Sequence, residues 1–121
     1  IAGARTLAIL AVDLVVVDGP DRGARARVTR GSARIGTGKG NALVLGDPAV
    51  SRVHCELEVR PDGVALRDPG STNGTFVQSQ DGDEAFVRRD SVQIKGKGMI
   101  GLGKLPDHDS PQTIRFVCEE V

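Results

Sequence analysis

The chain has 121 residues, which is enough for one domain with one hydrophobic core. Its 16 Lys and Arg balance 16 Asp and Glu, so the chain has no overall basic field for nucleic acid. Three Phe, without Trp or Tyr, argue against a surface on which bases stack. We therefore expect no direct binding to nucleic acid.

Cysteine content and hydropathy predict a compartment and a domain boundary. Cys55 and Cys118 cannot make a disulfide scaffold, which favours a reduced, cytoplasmic protein. The longest apolar stretch, 7–17, is interrupted by Asp13 and is shorter than the roughly 20 residues of a membrane-spanning helix, so we expect no membrane insertion. Because the chain begins at Ile1 rather than Met, we expect an excised part of a larger protein, with a linker at 1–10 and the domain at 11–121.

The dominant period along the chain is two, which is typical of half-buried strands. The predicted strands, in chain order, are 14–18, 24–28, 33–36, 43–45, 54–60, 64–68, 75–77, 92–94, 100–102 and 113–119. Cys55 and Cys118 fall on inward positions of two of them, so we expect both thiols to be buried and unreactive.

Turn signals separate these short runs. They include Pro61-Asp62-Gly63, which joins two alternating segments and predicts a hairpin. No stretch of ten or more residues has a helical period. Many short strands at this spacing predict an all-β sandwich or barrel.

Three connecting segments are unusually rich in Gly, hydroxyl and amide residues: 36–41, 47–54 and 68–77. Glycine lets backbone N–H groups turn toward a guest, and Ser and Thr supply short donors. Lys39 and Arg52 add positive charge. Such groups together make an anion site, and phosphate is the anion that they suit.

The spacing of these segments resembles the forkhead-associated (FHA) domain. The resemblance rests on Ile35-Gly36, Asn41, Asp47-Pro48-x-Val50-Ser51-Arg52-x-His54 and Asp68-x-x-Ser71-Thr72-Asn73-Gly74-Thr75-Phe76-Val77, and it covers about 14–116. It implies a β-sandwich of two twisted, mostly antiparallel sheets with roughly eleven strands, which binds phosphothreonine peptides across loops at one end.

The resemblance also implies roles for individual residues. Ser51 and Thr72 would bind the phosphate, Arg52 would contact the phosphate or the peptide, and Asn73 would hold the peptide backbone. His54 would tie the loops together beneath the site without touching the ligand. The phosphopeptide-binding residues that we predict are Ser51, Arg52, Thr72, Asn73, Thr37 and Lys39, and the supporting ones are Gly36, Asn41, His54, Gly74 and Thr75.

One position departs from the family pattern. The family usually has Arg after Ile-Gly, where it grips the phosphate, whereas this chain has Thr37. A charge-assisted hydrogen bond contributes about 1.5–3 kcal/mol, so its loss corresponds to roughly tenfold or more in affinity. Lys39 lies nearby, but its point charge does not reproduce the guanidinium fork. A phosphate-independent interaction domain of the same fold is therefore the alternative.

Three other patterns have simpler explanations. The glycines of 96–101 match a dinucleotide motif but lead into Gly103 and Pro106 rather than a helix, so we expect a glycine-rich hairpin. Ser51 and His54 are better explained as a buried hydrogen-bonded pair than as a nucleophile and its base. Asp107-His108-Asp109 is better explained as a solvated loop than as a metal site. We expect no enzymatic activity, cofactor or metal.

The sequence thus predicts a non-catalytic module that binds a phosphothreonine-containing protein, itself the substrate of a Ser/Thr kinase. The motif style resembles bacterial examples fused to sigma-54-dependent transcription activators, which suggests the regulatory domain of a larger bacterial protein.

Overall fold

The computed structural model describes residues 10–103 and 112–120, and within these ranges the chain forms eleven strands and no helix. The strands are β1 (Leu10–Asp18), β2 (Arg25–Val28), β3 (Gly31–Gly36), β4 (Leu43–Val44), β5 (Cys55–Arg60), β6 (Gly63–Asp68), β7 (Thr75–Ser79), β8 (Glu84–Val87), β9 (Asp90–Ile94), β10 (Lys97–Leu102) and β11 (Thr113–Glu120). None of the described elements is a helix long and apolar enough to span a bilayer.

The strands form two sheets whose inward faces make one core. The first sheet has six strands in the order β2-β1-β11-β10-β7-β8, and the second has five in the order β4-β3-β5-β6-β9. All neighbours with a recorded register pair antiparallel except β3 and β4, which are parallel. Leu14, Ile114 and Phe116 of the first sheet and Leu57 and Leu66 of the second lie in the same buried cluster. The predicted β-sandwich is confirmed.

Most sequence-predicted strands are present, and Pro61-Asp62-Gly63 does connect the antiparallel pair β5 and β6. The missed strand is β8. In this strand a large apolar residue faces the solvent: Phe86 lies on the exposed side with 56% of its surface accessible. A pattern search that assigns apolar residues to the interior cannot find such a strand.

The structure corrects three smaller predictions. Leu10, which the predicted boundary assigns to the linker, belongs to β1. Gly96 does not head a hairpin, because β9 and β10 lie in different sheets and the turn carries the chain between them. Cys55 is fully buried, whereas Cys118 is only partly buried, and burial raises the pKa of its thiol to about 11.

The segment Asp107-His108-Asp109 and the predicted linker up to residue 9 lie outside the described residues. Among the residues that are described, no group of three or more His, Cys, Asp or Glu could hold a metal ion.

Shortening a core side chain tests the packing of the two sheets. Leu66 is fully buried in β6, opposite Leu57 and Val92. We expect Leu66→Ala to reduce the free energy of unfolding by about 2–5 kcal/mol, because it removes apolar contacts and leaves a cavity. A urea titration would show this as a lower midpoint at an unchanged slope. Val44→Ala is the matched control, because Val44 is 46% exposed. Equal losses for the two variants would contradict this account of the core.

Candidate phosphopeptide site

The β3–β4 and β4–β5 connections are joined by backbone hydrogen bonds at one end of the sandwich, which we call the loop end. The amides of Thr37 and Gly38 donate to the carbonyls of Ser51 (3.1 Å) and Arg52 (3.0 Å). The Asn41 side-chain amide also donates to the Arg52 carbonyl, at 2.7 Å. These three hydrogen bonds fix the carbonyl groups of Ser51 and Arg52 and do not involve the side chains of these two residues.

Gly36 makes this close approach possible. A Cβ atom at this position would lie 2.3 Å from the Arg52 carbonyl oxygen and 2.6 Å from that of Ser51, both backbone atoms that cannot move aside. The structural role predicted for Gly36 therefore has a steric basis: only glycine lets the two connections lie this close.

The β4–β5 connection is shaped by a turn that begins at Asp47. The buried Asp47 accepts the Ala49 amide on its carboxylate at 2.8 Å and the Val50 amide on its carbonyl at 3.0 Å. Pro48 occupies the second position of this turn, where a fixed φ is favourable. Val50 is buried in the core, so the next residue, Ser51, is held at the loop end.

The β6–β7 connection joins the same end through two hydrogen bonds. The Thr72 amide donates to the Ser51 hydroxyl oxygen at 3.0 Å, and the Asn73 side-chain amide donates to the Ala49 carbonyl at 3.0 Å. Three connections that are far apart in sequence therefore meet around Ser51. The structure brings Ser51 and Thr72 into direct contact.

His54 is the buried junction beneath this meeting point. The Ser51 amide donates to its Nδ1 at 3.1 Å, and its Nε2 lies 2.6 Å from the Gly74 carbonyl oxygen. Its own amide donates to the Ile35 carbonyl at 2.8 Å. One side-chain ring and its own backbone amide thus link β3 with the two connections that carry Ser51 and Gly74.

The two ring contacts define the charge state of His54. Since Nδ1 accepts the Ser51 N–H, Nε2 must carry the proton and donate it to the Gly74 carbonyl. Burial lowers the pKa of His54, although the Gly74 carbonyl and the charge of Asp68 act in the opposite direction. The neutral imidazole is therefore the form that the folded protein holds.

Asp68 organises the β6–β7 connection from inside. Its Oδ1 accepts the amides of Gly70 (2.8 Å) and Ser71 (2.7 Å), and its Oδ2 accepts the hydroxyls of Ser71 (2.5 Å) and Thr75 (2.8 Å). The Ser71 hydroxyl in turn accepts the Gly74 amide at 2.9 Å. Burial disfavours the charge of Asp68, but these hydrogen bonds outweigh it and hold its pKa below the ordinary value.

The Asp68 network was missed at the sequence level, where Asp68 and Ser71 were quoted as motif residues without a role. The signal for them was the spacing Asp-Pro-Gly-Ser, in which a carboxylate can accept the amides two and three residues later. Thr75, predicted as a supporting residue, belongs to this network. Arg88 was also missed; its Nε donates to the Ser71 carbonyl at 2.9 Å.

The side chains predicted to bind the ligand lie on the solvent side of these contacts. Arg52, Lys39, Thr72 and Asn73 are exposed, and Ser51 and Thr37 are partly exposed. The Ser51 oxygen already accepts the Thr72 amide, so its hydroxyl proton points elsewhere and can reach a ligand. Among the six residues predicted to bind the ligand, Lys39 is the one for which no contact with another connection is recorded in the described part of the chain.

The comparison with known families gives one family model. The model described as "inner membrane component of T3SS, cytoplasmic domain" matches residues 15–105.

Two curated relatives are similar in sequence. The chain is 35% identical over 82 residues to an oxoglutarate dehydrogenase inhibitor of Corynebacterium diphtheriae and 34% identical over 82 residues to the glycogen accumulation regulator GarA of Mycolicibacterium smegmatis. Each alignment covers 67% of this chain, but only 57% and 52% of the two relatives. The chain therefore spans little more than half the length of these proteins.

Two solved structures are similar in both fold and sequence. The FhaA FHA domain, crystallised in complex with the intracellular domain of Rv3910, is 30% identical, with 89% of this chain and 99% of that one covered and a TM-score of 0.66. An FHA domain from a study of phosphothreonine-dependent interactions is 28% identical, with 88% and 95% covered and a TM-score of 0.67.

These likenesses and the two packed sheets place the chain in a class of β-sandwich domains. The chain belongs to the forkhead-associated domain family, and residues 15–105 belong to the family described as the cytoplasmic domain of the inner membrane component of T3SS. The resemblance inferred from the sequence motifs is confirmed.

The buried neutral His54 predicts a pH dependence of stability. Because the pKa of His54 in the folded protein lies below its ordinary value of 6.5, the unfolded chain binds an additional proton once the pH falls through that value. The free energy of unfolding should therefore be fully retained above that pH. Below it, this energy should fall by up to about 1.4 kcal/mol per pH unit, until the pH reaches the folded pKa.

Urea titrations at a series of pH values would measure this slope, and His54→Asn is the comparison variant. Asn can still accept the Ser51 amide but cannot titrate, so the variant should be less stable overall and should lack this contribution to the slope. If the two proteins lost stability in parallel between about pH 7.5 and pH 5, the assignment of the neutral form would be wrong.

Proposed function

We propose that the chain is a non-catalytic module that binds phosphothreonine-containing proteins. The observation that carries the proposal is the hydrogen bond from the Thr72 amide to the Ser51 hydroxyl oxygen, at 3.0 Å. The buried His54 ring fixes the two loops that form it. In this role the Ser51 hydroxyl, the Thr72 hydroxyl and the Arg52 guanidinium would supply donors to the three phosphate oxygens. The phosphothreonine-dependent interactions of an FHA domain that is 28% identical support the same ligand class.

The contacts of His54 also support a binding role over a hydrolytic one. Nδ1 accepts the backbone amide of Ser51 and Nε2 faces the Gly74 carbonyl, so both ring nitrogens are occupied. A general base for Ser51 would need a free nitrogen at its hydroxyl. In the binding role, Asn73 holds the peptide backbone, and Gly36, Asn41, His54, Gly74 and Thr75 keep the loops in place.

We further propose a regulatory setting for this module. It would be a domain, predicted at 11–121, of a larger bacterial protein in the cytoplasm, and its partner would be the substrate of a Ser/Thr kinase. One of the two curated relatives is an oxoglutarate dehydrogenase inhibitor and the other is a glycogen accumulation regulator, which supports a regulatory role. The sigma-54-dependent transcriptional regulator stays a prediction from the motif style of the sequence.

Fluorescence anisotropy with paired peptide pools, identical except for phosphothreonine or threonine at the centre, tests the ligand class. We expect the phosphorylated pool to bind at least about tenfold more tightly. Arg52→Ala should remove most of this difference without lowering the melting temperature, because the Arg52 side chain is exposed. Equal affinity for the two pools would overturn the proposal and favour the phosphate-independent alternative. Unfolding by Arg52→Ala would instead show that its role is structural.

The departure from the family pattern at Thr37 predicts a gain of function. The Thr37 amide is fixed to the Ser51 carbonyl, so an arginine side chain placed there would start beside the phosphate position. We expect Thr37→Arg to tighten phosphothreonine binding by roughly tenfold, the equivalent of one charge-assisted hydrogen bond. Thr29→Arg adds the same charge at an exposed position before β3 and serves as the control. An equal gain in both variants would show a general charge effect instead.

A further inference from the structure

The exposed aromatic ring of Phe86 lies against the backbone of the β6–β7 connection. Phe86 belongs to β8, on the outer face of the six-stranded sheet. A Cβ atom added to Gly74 would lie 2.5 Å from the Phe86 Cζ and closer still to its Cε1. The edge of the ring therefore fills the space that a side chain would take at position 74. A single exposed apolar residue needs no explanation by itself, but this one contacts a glycine on which the site depends.

Gly74 is held by three hydrogen bonds at the centre of the loop end. Its amide donates to the Ser71 hydroxyl oxygen at 2.9 Å. Its carbonyl accepts the proton of His54 Nε2 at 2.6 Å and the Gly103 amide at 2.9 Å. Because Gly74 directly follows Asn73, its backbone orientation sets the direction in which the chain leaves the predicted ligand residues.

The backbone of Gly74 has a φ of 84°, in the left-handed region. Glycine adopts this conformation without steric cost, but it adopts negative φ values about as readily. The hydrogen bonds therefore act on a residue with unusual conformational freedom, and a rigid group packed against its α-carbon reduces that freedom. The three atoms nearest to the missing Cβ position all belong to the Phe86 ring.

Phe76 keeps the Phe86 ring in place. The two residues are directly paired across β7 and β8, and their ring centroids are 4.8 Å apart with the planes tilted by 52°. Tilted aromatic pairs at this distance attract each other. The Phe86 ring thus contacts both Phe76 and Gly74, although more than half of its surface is exposed.

We propose that Phe86 is a positioning residue of the phosphothreonine site. Its ring restrains Gly74 and, through Gly74, both the hydrogen bond to His54 and the segment that carries Thr72 and Asn73. The inference rests on the proposed function and adds to it a residue that acts through the loop rather than on the ligand. Phe86 lies outside the three segments from which the site was predicted.

Removing the ring should weaken binding by lowering the population of the binding-competent loop. Apparent affinity falls in proportion to that population, so a decrease from nearly all molecules to between about a third and a tenth weakens binding about three- to tenfold. We expect this loss for Phe86→Ala in anisotropy titrations with the phosphothreonine peptide pool. Phe86→Leu keeps a branched apolar side chain without atoms equivalent to Cε1 and Cζ, so it should lose less affinity in the same direction.

Amide hydrogen exchange distinguishes positioning from a general loss of stability. The Gly74 amide donates to Ser71 and the Thr72 amide to Ser51. If the ring restrains the loop, Phe86→Ala should speed the exchange of these two amides at least about threefold more than that of the Leu57 amide in β5. A role in stability alone would change all three rates together.

Met99→Ala is the matched control. Met99 pairs with Gln78, two residues after Phe76, so its side chain lies on the same outer face of the sheet as Phe76 and Phe86. It is also partly buried, but its neighbour in β7 is a strand residue rather than a loop residue. Met99→Ala should therefore leave the affinity and the exchange of the loop amides unchanged.

The outcomes separate this inference from the proposed function. Wild-type affinity in Phe86→Ala, or an equal loss in Met99→Ala, overturns the inference and leaves the proposed function standing. A loss of affinity with unchanged exchange of the Gly74 amide also overturns it, because the ring would then act on the ligand directly. If Phe86→Ala does not fold, Phe86→Leu decides by the same measurements. If the wild-type chain binds no phosphothreonine peptide, the proposed function fails and this inference fails with it.

Discussion

The site depends on one buried, uncharged imidazole. His54 accepts a hydrogen bond from the amide of Ser51 and donates one to the carbonyl of Gly74, so a single ring sets the distance between two loops. A protonated ring could not accept the Ser51 amide, and it would face an N–H group at close range. The position of Ser51 relative to the β6–β7 connection therefore depends on a buried side chain beneath the loop end.

A second buried group, the Asp68 carboxylate, fixes the loop on the other side of that ring. Its four hydrogen bonds are formed before any ligand arrives, so the ordering of the β6–β7 connection is completed during folding. Preorganisation of this kind lowers the entropy that binding would otherwise cost. The hydrogen bonds that fix these loops are made by buried side chains, whereas Arg52 and Thr72 are exposed.

The sequence predicted features that depend on neighbouring residues better than contacts between residues far apart in the chain. Period-two alternation located strands such as β5 and β11, because burial on one face of a sheet is a local pattern. It failed at β8, where Phe86 lies on the solvent side and packs 4.8 Å from the ring of Phe76. Motif spacing found the loop residues, but the bond from Thr72 to Ser51 spans 21 positions and is created only by the fold.

The formal net charge of zero is compatible with an anion site, because some of the negative charges are buried while nearby positive charges are exposed. At the loop end, the carboxylates of Asp47 and Asp68 are buried and accept backbone amides of their own loops, whereas Arg52 is exposed. The Arg52 side chain is therefore open to solvent, and these two carboxylates are already hydrogen-bonded inside the loops. The composition cannot show this separation, because it counts a buried aspartate and an exposed arginine as equal and opposite. The local field at the loop end is therefore set by which charges the fold buries, and this requires only that the carboxylates serve as internal hydrogen-bond acceptors.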